Sequence, residues 1–366
     1  MNESSSDYFH DLYINCVDPD DEGIDFDGDI PKEIHALIER EDERHAQPLK
    51  EEVVSINLKD ENDPRMVQVG STLSPEEHCD FKELLTEYND VFAWSHQDMP
   101  GIDPELVEHR IPLLPDAKPV KQKLKRMRPD WVQKIKDEVT KQIDAGFLMV
   151  SQYPTWVANI VPVPKKNGQI RVCVDFRDLN KASPKDYFPL PHIDVFVDNT
   201  AGHALLSFMD GFSGYNQMLM APKDREKTTF ITNWGTYCYL VMPFGSKNVG
   251  PTYQRAATSI LHDMMHKEVE VYVDDMIAKS KTREGHIPML RKFLKRLHKF
   301  RMRLNLQKCT FGVTAGKMFG FMITSRGIKV DPSMIKAVLK MKPPESEKGV
   351  RSFLGKVQFC RHPNLA

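Results

Sequence analysis

Lysine and arginine are missing from the first 31 positions of this 366-residue chain, while Asp18, Asp20, Asp21, Glu22, Asp25, Asp27 and Asp29 crowd together there. A stretch so one-sided in charge cannot bury enough apolar surface to offset its chain entropy, so it is expected to be disordered. Cysteine is scarce and unpatterned: Cys16, Cys79, Cys173, Cys238, Cys309 and Cys360 show no paired spacing. Neither a zinc knuckle nor a disulfide framework is indicated, and a reducing compartment is expected. No basic and apolar leader opens the chain, and no hydrophobic run approaches the ~20 residues that cross a bilayer. Secretion and a membrane partner are therefore not expected. The formal net charge of −2 hides a contrast, because the acidic beginning offsets a basic remainder.

What is present is more telling. Val269, Val271 and Val273 alternate with Glu270 and Tyr272 at strand period, and Met276, Ile277 and Ala278 resume the apolar run after Asp274 and Asp275. The pattern predicts a hairpin with Asp274 and Asp275 at its tip. Carboxylates crowded beside a hydrophobic sheet repel each other, and keeping both ionised calls for a cation such as Mg²⁺. An acidic turn in water is the plain alternative. A second strand weighs against it: residues 204–209 read as buried and run straight into Asp210 and Gly211. Two-metal phosphoryl transfer needs carboxylates from separate strands converging on cations roughly 3.5–4 Å apart, with Asp210 and Asp274 the candidate bridging pair. Gly211 would let the backbone approach a metal or phosphate, having no Cβ.

Further motifs follow in order: Phe208-Met209-Asp210, Gly214-Tyr215-Asn216-Gln217, Val241-Met242-Pro243-Phe244-Gly245, Tyr253-Gln254 and Tyr272-Val273-Asp274-Asp275. Upstream lie Val161-Pro162-Val163-Pro164-Lys165-Lys166-Asn167-Gly168, Arg171-Val172-Cys173-Val174-Asp175-Phe176-Arg177-Asp178-Leu179-Asn180 and Phe188-Pro189-Leu190-Pro191. From about Arg110 to the C-terminus this set resembles the reverse transcriptase of gypsy-type LTR retrotransposons, plant elements being the nearest match.

The resemblance implies an α+β right-hand polymerase of fingers, palm and partial thumb, with an antiparallel palm sheet backed by helices. It implies RNA-directed DNA synthesis, in which two Mg²⁺ ions, or Mn²⁺ in their place, promote attack of a primer 3′-hydroxyl on a deoxynucleoside triphosphate. Asp210, Asp274 and Asp275 would form the catalytic cluster, Asp210 and Asp274 carrying most of the metal ligation. Lys165 or Lys166, with Arg171, would hold the triphosphate. Tyr215 would stack under the sugar and block a 2′-hydroxyl, while Phe244 and Gly245 would line the nucleotide pocket. Tyr272 would touch nucleic acid, and Phe319 and Gly320 would belong to a primer-gripping hairpin. Arg351, Gly355 and Phe359, spaced four apart, would share the face of a first thumb helix along the minor groove. Expected partners are an RNA template, a DNA or tRNA primer and their hybrid, in the cytoplasm within a virus-like particle, or in the nucleus.

The expected boundaries are a largely disordered acidic segment (1–65), a short helical segment and linker (66–109), fingers and palm (110–325) and a partial thumb (326–366). Helices are predicted over 75–92 and 129–145, the latter with Val132, Ile135, Val139 and Ile143 on one face and Gly146 at its end. Between 279 and 308 Lys281, Arg283, Arg291, Lys292, Lys295, Arg296, Lys299, Arg301 and Arg303 face only Glu284, on an amphipathic helix. Such a stripe points to phosphates or to a solvated face. Departures from the family pattern are Ser246 in place of a leucine and Asn248-Val249-Gly250-Pro251 in place of an alanine-rich run. With the thumb cut short at Ala366 and no protease, ribonuclease H or integrase motif, a polyprotein fragment is expected; the alternative function is an inactive remnant that at most binds nucleic acid.

Two rival chemistries fare worse. Asp18 to Asp29 imitates a calcium-binding loop, yet Asp25 occupies an apolar position and the incoming helix is missing. His262 and His266 stand at zinc-hydrolase spacing, but Asp263 replaces the usual glutamate base, so solvent-facing histidines on a palm helix are expected.

Overall fold

The computed structural model describes residues 52–59, 64–164, 170–341 and 343–359. The acidic stretch, with its expected disorder and its calcium-loop imitation, lies outside the described residues. Two compact units divide the chain: a larger one of Val53–His192 and Ala204–Val313, and a smaller one that includes Ile193–His203 and the residues from Thr314 onward.

In the larger unit β1 (Val53–Asn57) and β2 (Met66–Gly70) pair as an antiparallel hairpin. This corrects the expected boundary at residue 65, which falls inside the hairpin: Val53–Asn57 is strand rather than disordered chain. α1 (Pro75–Glu87) opens with a capping box, Glu77 N–H donating to Ser74 Oγ (3.2 Å) and Ser74 N–H to Glu77 Oε2 (2.7 Å). The short β3 (Phe92–Ala93) follows. α2 (Pro129–Asp144) buries Ile135 and Val139 of the predicted apolar face, Val132 is half-buried, and Ile143, expected on the same face, is exposed. It ends where Gly146 turns left-handed (φ 74°), its N–H reaching Ile143 O at 2.9 Å while Phe147 N–H reaches Gln142 O at 2.9 Å, a Schellman cap.

β4 (Leu148–Val150), β5 (Ala158–Pro164), β6 (Ile170–Val174) and α3 (Arg177–Ala182) come next. α4 (Ile193–Thr200) belongs to the smaller unit. The larger unit resumes with β7 (Leu205–Asp210), β8 (Phe230–Thr232), β9 (Gly235–Tyr239), α5 (Val249–Leu261), β10 (Val269–Tyr272), β11 (Asp275–Ser280) and α6 (His286–Lys299). It closes with β12 (Leu304–Asn305) and β13 (Thr310–Val313). Pro251 is the third residue of α5, inside the first turn, where its missing N–H breaks no helical bond.

Two sheets organise this unit. The fingers sheet has the order β4-β9-β8-β5-β6 over a core of Ile135, Val139, Trp156, Ile160, Val172 and Phe230. The palm sheet has the order β1-β2-β13-β7-β11-β10, antiparallel except where β2 and β13 run parallel. Leu205 and Met209 on β7, Met276 and Ala278 on β11, and Val269 and Val271 on β10 share one core with Phe81 of α1, Ile260 of α5 and Leu290, Phe293 and Leu294 of α6. Side chains alternate along a strand, so Phe208 and Asp210, Asp275 and Ile277, and Glu270 and Tyr272 belong to the opposite face.

The smaller unit holds β14 (Ala315–Met318), β15 (Phe321–Thr324) and β16 (Gly327–Val330) in one antiparallel sheet, with α4 beside β15, and then α7 (Pro332–Leu339) and α8 (Glu347–Phe359).

Candidate active site

β7 and β11 run antiparallel in a register that sets Asp275 opposite Asp210. Across the hairpin Tyr272 pairs with Asp275, leaving Val273 and Asp274 as the two turning residues. The tip is therefore Val273-Asp274, not Asp274-Asp275, because Asp275 is already committed to the ladder. Val273 adopts φ 52°, a left-handed backbone that a β-branched side chain strongly disfavours. Gly211 N–H donates to Asp274 O at 3.1 Å, lacing the end of β7 to this turn.

Two glycines shape the space around the acids. A Cβ on Gly214 would fall 2.0 Å from Asp274 Oδ1, so only glycine fits while that carboxylate is seated. A Cβ on Gly211 would lie 2.7 Å from the Tyr253 hydroxyl. What Gly211 makes room for is thus that phenol, rather than the metal or phosphate expected from the sequence.

Electrostatics bind the acids into one group. Burial, then the charges of Asp210 and Asp275, push the Asp274 carboxyl well above the ordinary range. Asp275 rises to about 7, through burial and then Asp210. Asp210 is also raised by burial, against the pull of Lys308. Asp274 Oδ1 is buried with no hydrogen-bond partner. A buried, unpartnered carboxylate oxygen beside two further acids is a donor set suited to a hard divalent cation. Among the described residues, no three Asp, Glu, His or Cys side chains are drawn close enough to grip a metal as they stand.

Lys308, which sequence reasoning passed over, faces the same acids. Its Nζ lies 3.4 and 3.3 Å from Asp210 Oδ1 and Oδ2. The signal was available only through the sheet: Thr310 pairs with Phe208, and continuing that antiparallel register by two residues puts Lys308 opposite Asp210.

Around the acids, Tyr215 lies in a short 3₁₀ turn with its ring 4.9 Å from Phe244 and 5.8 Å from Tyr253. Phe244 is exposed, and Gly245 takes φ 83°, a conformation that suits glycine. The Phe244-Gly245 segment is tied to the fingers: Asn180 Nδ2 donates to Gly245 O (2.9 Å) and Lys247 Nζ to Ser183 O (2.6 Å). Arg171 occupies an exposed position on β6, opposite Val163 of β5. Lys165 and Lys166 lie outside the described residues.

Tyr272 is half-buried at the end of β10. In the smaller unit Phe319 (φ 49°) and Gly320 (φ 78°) form the two-residue turn between β14 and β15. The Phe319 ring is buried against Phe196 of α4, 5.4 Å between centroids, and Gly320 O accepts the Asp331 N–H at 2.8 Å. Arg351 is exposed on α8 and pairs with Glu347 at 2.7 Å. Gly355 and Phe359 belong to the same helix, and their surroundings lie outside what is described.

Two expectations meet partners that the sequence hides. Four of the nine cations in the basic stripe of 279–308 are answered within the unit: Arg283 pairs with Glu77 (2.7 Å), Arg291 with Glu87, Lys292 with Glu268 (2.8 Å) and Arg296 with Asp263 (3.0 Å). The helix is amphipathic, burying Leu290, Phe293, Leu294 and Leu297, and three of its cations, Arg291, Lys292 and Arg296, pair with acids distant in sequence. His262 and His266 face solvent as expected, but not from within the helix, since α5 ends at Leu261; His266 Nδ1 also meets Glu270 Oε2 at 2.9 Å.

A palm of this topology, with an acid ending β7 opposite another on an acidic hairpin, defines a nucleic-acid polymerase fold. Residues 163–323 match the family described as reverse transcriptase (RNA-dependent DNA polymerase). The chain is 34% identical over 235 residues to the retrovirus-related Pol polyprotein from transposon opus of Drosophila melanogaster, a match spanning 62% of this chain and 23% of that polyprotein. It is 33% identical over 237 residues to the Pol polyprotein from transposon gypsy of the same organism, spanning 62% and 22%. The transposon Tf2-3 polyprotein of Schizosaccharomyces pombe (strain 972 / ATCC 24843) is 29% identical over 236 residues, spanning 64% and 17%. Among solved structures, the foamy viral protease-reverse transcriptase in complex with RNA/DNA hybrid superposes with a TM-score of 0.69 at 21% identity, covering 79% of this chain and 38% of that one. Residues 163–323 are thus similar to the reverse transcriptase region of gypsy-type retrotransposon Pol polyproteins, and the chain spans about a quarter or less of the length of these curated relatives.

Proposed function

We propose that this chain catalyses RNA-directed DNA synthesis, adding deoxynucleotides to a primer 3′-hydroxyl. The observation that carries the reading is the convergence of Asp210, Asp274 and Asp275 on adjoining strand ends, where each raises the cost of its neighbours' charge. Two divalent cations, Mg²⁺ or Mn²⁺, would when bound supply Lewis-acid stabilisation of the attacking and leaving oxygens. Asp210 and Asp274 would hold them, with Asp275 completing the cluster. Tyr215, braced by Phe244, would present a flat ring against the sugar and disfavour a 2′-hydroxyl. Arg171 and Lys165 or Lys166 would bind the triphosphate. Tyr272, the turn at Phe319 and Gly320, and the helix bearing Arg351, Gly355 and Phe359 would track an RNA template paired with a DNA or tRNA primer. Support for that partner comes from the foamy viral enzyme, whose structure was solved with an RNA/DNA hybrid.

Primer extension decides it. The folded chain, given Mg²⁺, deoxynucleoside triphosphates and a DNA primer on an RNA template, should lengthen the primer, and Asp274→Asn should abolish the product. A well-folded preparation that binds the hybrid by fluorescence anisotropy yet adds no nucleotide would mark it instead as an inactive remnant.

A further inference from the structure

The turn that carries Asp274 cannot be held by its own sequence. Val273 occupies φ 52°, where a β-branched residue is strained, and no glycine or asparagine relieves it. The backbone N–H of Val273 also has no partner across the hairpin, because the ladder closes at Tyr272 and Asp275. Both deficits are met from outside the hairpin by one side chain. Gln254, on α5, accepts the Val273 N–H through Oε1 at 2.8 Å, and its Nε2 donates to Val271 O at 3.1 Å. The amide is 1% exposed, so these bonds face no competition from bulk water. It bridges the strand end and the turn, and so spans Tyr272.

The neighbouring residue on α5 reinforces the arrangement. Tyr253 is fully buried, and its ring lies within 3.0 Å of the space beside Gly214 into which Asp274 Oδ1 projects. One helix thus meets the acidic turn twice, at its backbone through Gln254 and beside its carboxylate through Tyr253.

We infer that Gln254 is a positioning residue for nucleotidyl transfer: its amide holds Val273 in the left-handed conformation and thereby aims the Asp274 carboxylate at the metal site. The inference rests on the metal-site reading above. Both hydrogen-bonding ends of the amide are used, so an isosteric apolar residue would fill the space yet release the turn. Glycine at 273 adopts φ above zero without strain and should make the clamp less necessary. A residue that merely filled the core would not be rescued in that way.

The experiment titrates Mn²⁺ alone, followed by electron paramagnetic resonance of the free ion, into the wild-type chain, Gln254→Met, Val273→Gly and the double variant, with circular dichroism to check folding. Gln254→Met should weaken Mn²⁺ binding about tenfold or more, in the range seen when groups supporting metal ligands are lost. In primer extension it should lower kcat with little change in KM for the deoxynucleotide. Val273→Gly should bind Mn²⁺ as the wild type does, and the double variant should recover most of the affinity that Gln254→Met loses. Wild-type Mn²⁺ affinity in Gln254→Met, or no recovery in the double variant, overturns the inference. If Gln254→Met fails to fold, a folded, Mn²⁺-binding double variant supports the clamp, and an unfolded one overturns it. A wild-type chain that binds no Mn²⁺ sinks the metal-site reading itself, a different result from a wild-type chain that binds and a Gln254→Met that binds equally well.

Discussion

Asp210 and Asp275 face each other across β7 and β11, two carboxylates at directly opposed ladder positions on one face of a sheet. Like charges so placed destabilise the fold that brings them together. Asp275→Asn should therefore raise the stability of the metal-free protein by about 0.5–2 kcal/mol while lowering polymerase activity, a trade between stability and function. Urea unfolding in EDTA, alongside primer extension, measures both sides. Equal or lower stability in the variant would show that the repulsion is already relieved.

The same acids make stability depend on divalent ions. Mn²⁺ or Mg²⁺ that binds only the folded chain should raise Tm, and EDTA should reverse the gain. Because burial and the neighbouring acids raise the Asp275 carboxyl to about 7 and hold the Asp274 carboxyl well above the ordinary range, protons compete with the metal near neutrality. The metal-induced shift should be larger at pH 8 than at pH 6. Thermal scans with and without metal at the two pH values check this.

Gly214→Ala would force a methyl group into the position of Asp274 Oδ1. Since that carboxylate lies on a two-residue turn, displacing it is the easier response than moving α5. The variant should fold, with stability changed by about 1–3 kcal/mol, and lose most of its primer extension. Wild-type activity in Gly214→Ala would show that the Asp274 carboxylate moves freely.

Lys279 and Glu270 form an ion pair at 2.8 Å in which both side chains are 2% exposed. Removing Lys279 leaves the buried Glu270 carboxylate with His266 at 2.9 Å in place of its ammonium partner, so Lys279→Met should cost about 3 kcal/mol, while Glu270→Met with Lys279→Met should recover most of it. Chemical denaturation of the three proteins reads the coupling directly.

His286 is fully buried, with Nε2 2.8 Å from Ser207 Oγ and Nδ1 2.7 Å from Ser280 Oγ. Burial lowers its pKa to about 4 from an ordinary value of 6.5. The unfolded chain takes up a proton on this ring at higher pH than the folded chain does. The resulting stability is complete above pH 6.5 and is lost as pH falls from there through about 4. An imidazole NMR signal for residue 286 that stays neutral at pH 5 would agree; protonation near 6.5 would not.

Local pattern carried much of this structure. The run into Asp210, the alternation around Tyr272, the apolar faces of α2 and α6 and the glycine that stops α2 all follow from periods and turn chemistry confined to a few residues. What escaped was set by partners far along the chain. Nothing within 53–57 reveals that it becomes an edge strand, because its place depends on β2, which in turn pairs with β13. The ion pairs of the basic stripe around α6 could not be read locally, because Glu77, Glu87, Asp263 and Glu268 lie outside it in sequence. Lys308 was hidden for the same reason, and Gln254, though part of a motif, showed its contact with the acidic turn only once α5 was placed beside it.

The parallel contact between Gln68 and Val69 of β2 and Thr310 and Phe311 of β13 has a consequence for synthesis. A nascent chain leaves the ribosome with β2 long before its neighbour in the sheet exists. Until Val313 has emerged, the β1–β2 hairpin presents a bare backbone rim able to recruit strands from other molecules. Premature release ahead of β13 should thus yield aggregates rather than a smaller folded unit, and co-translational holding of that rim by a chaperone would favour the completed sheet.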